Sequence, residues 1–174
     1  MPALPGPTRS IPTRPGPSIR SVARSGRRGF SRPAPTGGYS TTYLAAAVDH
    51  LGAGHVHSFD LYPRAGRHLP DSLRGRVTLH LGRPATEALP AVLAQGAPDL
   101  FFQDSVHDYP GVLAELQCVV PCLPPHGVVL IHDFVAHGVR QAAVDGLPGY
   151  RIHELEGDDP QILGVAFRDR RGPG

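Results

Sequence analysis

Four short apolar runs, each closing on glycine or a polar residue and separated by helix-length segments, constrain this chain more than any other feature. His55–Phe59 closes on Asp60, and Val77–Leu81 on Gly82. Asp99–Phe102 closes on Gln103-Asp104, and Gly127–Ile131 on His132-Asp133. Helical segments are predicted over Ser40–Leu51, Ala85–Ala94 and Tyr109–Leu123, with Ser40 or Thr41 as the cap of the first. Runs spaced roughly 25 residues apart, with helices between them, predict a parallel sheet covered on both faces. Tyr150–Leu155 and Ile162–Arg168, flanking Gly157-Asp158-Asp159-Pro160, predict a closing antiparallel hairpin. The polar residues fall at the carboxyl ends of successive strands, the edge at which open α/β sheets bind ligands. Topology therefore places the site before its chemistry is considered.

The start of the chain is different. Residues 1–38 hold seven arginines, eight prolines and no acidic residue. Of 17 basic residues, ten remain beyond this segment against all 15 acidic ones, a net of −5. The basicity thus belongs to the tail, and the folded part gives no reason to expect nucleic-acid binding. Residues 1–36, with Pro5-Gly6-Pro7 and Pro15-Gly16-Pro17, are read as a disordered Arg/Pro/Gly-rich segment. The domain is read as residues 37–170. No apolar run approaches the roughly 20 residues of a membrane span, and no secretory signal is seen. Cys118 and Cys122, four apart, predict helical neighbours and no disulfide framework, so a cytoplasmic setting is expected.

Taken singly, the candidate site residues have ordinary explanations. Gly37-Gly38-Tyr39-Ser40-Thr41 before a helix could receive an anion on its amides, or be a plain capped turn. Asp60 could hold a ribose diol, or be a solvated strand-end aspartate. His50, His55, His57, His68, His80, His126, His137 and His153 are scattered without ligand spacing and are read as structural or solvent-facing.

In combination they are more specific. The segments from Asp99 to Tyr109 and from Gly127 to Phe134, with Gly38-Tyr39-Ser40-Thr41 and Asp60 at matching distances, resemble the class I S-adenosylmethionine-dependent O-methyltransferases of the catechol and macrocin types. The resemblance runs from Gly37 to Arg168. It implies a doubly wound, mostly parallel Rossmann-like sheet that binds S-adenosylmethionine. Gly38 and Ser40 would meet the methionine part, Asp60 the ribose hydroxyls, and Gly82 the adenine. Asp104 and Asp133 would hold a divalent cation, usually Mg2+, whose hard character suits carboxylate oxygens. His107 stands at the position of a general base, and its imidazole suits proton removal near neutrality. His132 and Phe134 depart from the family's metal ligands, having glutamate and asparagine counterparts in relatives. The implied partner is a small-molecule hydroxyl acceptor, with neither nucleic acid nor membrane, and a homo-oligomer is one option.

Arg32 and Ala34 stand where the family's first strand ends in Glu-x-Gly, and no apolar run precedes them. The domain is therefore expected to lack that strand, leaving two central edges unpaired at about 1–3 kcal/mol per buried unsatisfied group. A transit peptide would precede an intact strand without replacing it, so a misassigned or frameshifted start is the preferred expectation. The function expected is methyl transfer to a small-molecule hydroxyl. The alternatives are an inactive remnant or interaction module, and a hydroxylase-type protein on the same fold.

Overall fold

A computed structural model describes residues 22–25, 38–105, 107–157 and 162–168. The elements are β1 (Val22–Ser25), α1 (Tyr39–His50), β2 (Val56–Asp60), β3 (Val77–Leu81), α2 (Ala85–Leu93), β4 (Leu100–Gln103), α3 (Tyr109–Val119), β5 (Val128–Ile131), α4 (Val139–Gly146), β6 (Tyr150–Leu155) and β7 (Leu163–Arg168). They form one seven-stranded sheet in the order β3-β2-β1-β4-β5-β7-β6. The first five strands in this order are parallel, and β6 and β7 close the sheet as an antiparallel hairpin.

The expectation of an empty first-strand position is corrected. Val22–Ser25 lies between β2 and β4, with Val22 in register with both Val56 and Leu100. The physical reason lies in the backbone: the facing edges of β2 and β4 need ladder partners, and any short extended segment supplies them. Pattern reading looked for an apolar run and so passed over Val-Ala-Arg-Ser. The rest of the segment read as disordered lies outside the described residues, as do Arg32, Ala34 and the turn residues Asp158–Pro160.

Alternating residues of the sheet feed two apolar clusters. Val56 and Leu100 face Ala45 and Val48 of α1 together with Leu69. Phe59, Phe101, Val129 and Ile131 face the other way, against Leu89, Val112, Leu116 and Ala142 of the remaining helices. Fully burying side chains of this size contributes about 1.5–3 kcal/mol each. α1 begins on Gly38 in the left-handed region (φ 76°), where no hydroxyl caps it, so Ser40 and Thr41 lie inside the helix. A β-carbon at residue 38 would also crowd Gly66 at 3.2 Å, so Gly38 is fixed by both conformation and space.

α3 starts on Asp108, whose carboxylate accepts the Gly111 amide at 2.8 Å. Its predicted span divides, the last turn tightening into a 3-10 helix over Val120–Cys122 around Pro121. Cys118 and Cys122 are both free thiols. α4 was not anticipated, although Val139, Ala142, Ala143 and Gly146 are its buried positions with helical spacing. Among the described residues no helix is long and apolar enough to cross a membrane.

Candidate active site

The strand ends bring the expected residues to one edge of the sheet. Asp60, at the end of β2, is buried and its Oδ1 accepts the Tyr62 amide at 2.8 Å. Its own carbonyl accepts the Gly82 amide at 2.9 Å, so the ends of β2 and β3 are tied together. Beneath them a buried pair, Thr41 Oγ1 and Ser58 Oγ at 2.8 Å, fastens α1 to β2. Ser40 Oγ reaches across to Asp104 Oδ2 at 3.4 Å, linking the start of α1 to the end of β4. Gly38, Ser40, Asp60 and Gly82 thus border one side of the edge, and Asp104, His107 and Asp133 the other.

The second side is built around two imidazoles and two carboxylates. His132 Nδ1 lies 3.3 Å from Asp104 Oδ1 and 3.5 Å from Asp133 Oδ1. His107 Nδ1 lies 2.9 Å from Asp133 Oδ2. Asp104 is buried, while His107, His132 and Asp133 are half-buried. Asp133 adopts φ 49°, the one left-handed backbone at a non-glycine residue among those described. Aspartate tolerates this conformation better than most residues, and here it turns the carboxylate back toward His107. Asp104, His107 and His132 also offer one ligand atom each within 4.8 Å of one another. Both carboxylates approach His132 Nδ1, and a cation bound in this cluster would offset their charge.

His132 is the residue whose importance sequence reasoning missed. It was read as a weak substitute for a family ligand, yet it stands between Asp104 and Asp133. Its place between the apolar run ending at Ile131 and Asp133 was the signal in the sequence. Gln103, fully buried with Nε2 on Ser105 Oγ at 3.0 Å, was also missed and supports the β4 end from below. Phe134 is core, 2 % exposed, and belongs to the larger apolar cluster. It offers no donor where relatives carry asparagine. The histidines read as scattered need a correction too: His55, His57 and His80 converge on the outer strands, because parallel pairing of β2 with β3 aligns them.

A parallel sheet reversing direction about β1, closed by an antiparallel hairpin and carrying its polar residues on one edge, is the architecture of the class I S-adenosylmethionine-dependent methyltransferases. The family described as "methyltransferase domain" matches residues 36–134. The chain belongs to that family.

Solved structures agree on the fold. The O-methyltransferase TomG from Streptomyces achromogenes, crystallised with S-adenosylmethionine, is 18 % identical with a TM-score of 0.65; the match covers 86 % of this chain and 73 % of that one. The O-methyltransferase from Bacillus cereus, in complex with S-adenosylhomocysteine, is 17 % identical with a TM-score of 0.64 over 86 % and 74 % of the two chains. MycE from the mycinamycin pathway, solved with Mg, S-adenosylhomocysteine and mycinamycin VI, is 16 % identical with a TM-score of 0.59 over 91 % and 48 %. No curated protein sequence matches.

Proposed function

We propose that this protein transfers the methyl group of S-adenosylmethionine to a hydroxyl of a small molecule such as a sugar or phenol. The observation that carries the reading is the His107–Asp133 contact at 2.9 Å, set beside Asp104 and His132 on the ligand edge of a methyltransferase fold. With Nδ1 turned to the Asp133 carboxylate, His107 would be held in the tautomer whose Nε2 accepts a proton. The acceptor hydroxyl would give its proton to Nε2 as its oxygen attacks the methyl carbon in line. The carbon–sulfur bond breaks, and the sulfonium becomes the neutral thioether of S-adenosylhomocysteine. Asp60 would hold the ribose hydroxyls, with Gly38 and Ser40 beside the methionine part and Gly82 beside the adenine. The protein's contribution is then mostly positioning.

The site's donor chemistry fits a divalent cation: Asp104, His107 and His132 converge, and with His107 kept as the base, Asp104 and His132 would hold the ion. Bound there, the cation would act as a Lewis acid that anchors and acidifies the acceptor hydroxyl. Mg2+ suits the carboxylates, while the imidazoles shift the balance toward Mn2+ or Zn2+. A second reading, a fold retained without turnover, is favoured by the lack of any acidic residue in residues 1–38, so that no Glu-x-Gly can follow the first strand.

The test is to incubate the protein with S-adenosylmethionine and a panel of phenolic and sugar hydroxyl compounds, measuring product mass. Gain of one methyl, abolished in His107→Gln with cofactor binding retained, supports the proposal. Cofactor binding with no methylated product across the panel favours the second reading.

A further inference from the structure

The two outermost parallel strands carry a histidine cluster that the methyl-transfer edge does not use. His57 projects from the same face of β2 as Phe59, and His80 is the β3 residue in register with Phe59. His57 Nδ1 and His80 Nε2 stand 3.2 Å apart. Phe59 stacks on the His80 ring at 4.6 Å and 14°, which fixes the orientation of that imidazole. His55 approaches His57 edge-on at 5.1 Å between ring centroids, while its Nε2 bonds Thr78 Oγ1 at 2.8 Å. All three rings are half-buried, so water and ions reach them.

We propose that His57 and His80 chelate a borderline transition-metal ion of the Zn2+, Ni2+ or Cu2+ class, at a second site separate from the ligand edge. Two nitrogens each about 2.0–2.1 Å from a tetrahedral ion lie roughly 3.4 Å apart, and this pair is already at 3.2 Å. Strand pairing and the Phe59 stack pre-organise the bite, so little side-chain freedom is lost on binding. Without metal, one ring N–H must lie between the two nitrogens. Binding moves that proton to the other nitrogen of the same ring, so both present lone pairs without net proton release.

The donor set also selects the ion. It is all imidazole with no carboxylate, which suits Zn2+, Ni2+ and Cu2+ and disfavours Mg2+ and Ca2+. Burial, reinforced by His55 and His80, pushes the His57 imidazole down to about 4, so protons do not compete at neutral pH. Burial and Arg83 lower His80 in the same direction. The nearby arginines oppose a cation by charge yet also keep the rings neutral. Water completes the coordination, with His55 as a third donor if it leaves Thr78. A metal here clips edge strand β3 to β2, and so stabilises the fold by linkage.

The other metal-capable cluster must be removed for the test. In full-length Asp104→Asn/His132→Gln protein with Cys118 and Cys122 also replaced by serine, calorimetric titration with Zn2+ should show one equivalent bound and a raised Tm, while Mg2+ at equal concentration gives neither. Adding His57→Gln and His80→Gln should weaken Zn2+ binding at least tenfold. Absence of Zn2+ binding in the first variant, or its survival in the second, overturns the proposal. If the second variant does not fold, substoichiometric Cu2+ decides on the first: it should broaden the His57 and His80 ring proton signals ahead of those of His107. Broadening that begins elsewhere overturns the proposal.

Discussion

Asp133 combines an unusual backbone with a central contact: φ is 49°, and its carboxylate holds His107 at 2.9 Å. Asp133→Asn keeps a side chain that tolerates this backbone and removes only the charge, so it separates electrostatics from folding. If a cation binds among Asp104, His107, His132 and Asp133, Mn2+ or Mg2+ at millimolar concentration should raise Tm. The stabilisation would reach about 2.7 kcal/mol at a hundredfold excess over Kd. Asp104→Asn or Asp133→Asn should largely remove that rise. Asp108→Asn should not, because Asp108 caps α3 through the Gly111 amide and asparagine caps equally well. Differential scanning calorimetry with and without metal makes the comparison. Unmoved melting of the folded wild type would end the metal assignment.

At the scale of elements, packing sets where the loop carrying Asp133 can sit. Gly164 on β7 lies directly under the buried Phe134 ring, where an added β-carbon would collide with that ring. The Phe134 amide also donates to the Ile162 carbonyl at 2.8 Å, so the residue next to Asp133 is pinned to the closing hairpin. Gly164→Ala should therefore destabilise the protein by about 1–3 kcal/mol in chemical denaturation. It should also weaken metal-dependent stabilisation, because Phe134 cannot move without carrying Asp133. Wild-type stability in Gly164→Ala would show that the ring is not held there.

β1 supplies the other test at this scale. Paired on both sides, the amides of Val22–Ser25 that enter its ladders should exchange slowly, within the range shown by Val56–Phe59. Exchange at unprotected rates would remove β1 from the sheet. Strands ending in polar residues were legible because buried parallel strands write themselves as apolar runs. β1 was not, because Val-Ala-Arg-Ser is too short and too polar to read as an apolar run. α4 is short, and its glycine and aspartate obscured a four-position apolar stripe.

At the scale of the whole molecule, parallel pairing places the ends of β2, β4 and β5 along one edge, which is why Asp60, Asp104 and Asp133 could be located as strand-end residues from sequence, their roles coming from the family resemblance. The arrangement of His132 between two carboxylates was not legible, since it depends on the register of β5 against β4. The same holds for His57 and His80, which are 23 positions apart and meet only across a ladder. Titration calorimetry of the full-length chain with S-adenosylmethionine tests most directly whether this edge binds it. The predicted result is saturable binding that Asp60→Ala weakens by about 1.5–3 kcal/mol, roughly 10- to 150-fold, with folding retained, as expected for a lost charge-assisted hydrogen-bond pair. Binding indifferent to Asp60→Ala would remove Asp60 from the site. No binding heat at several temperatures from a folded wild-type sample would contradict cofactor binding at this edge.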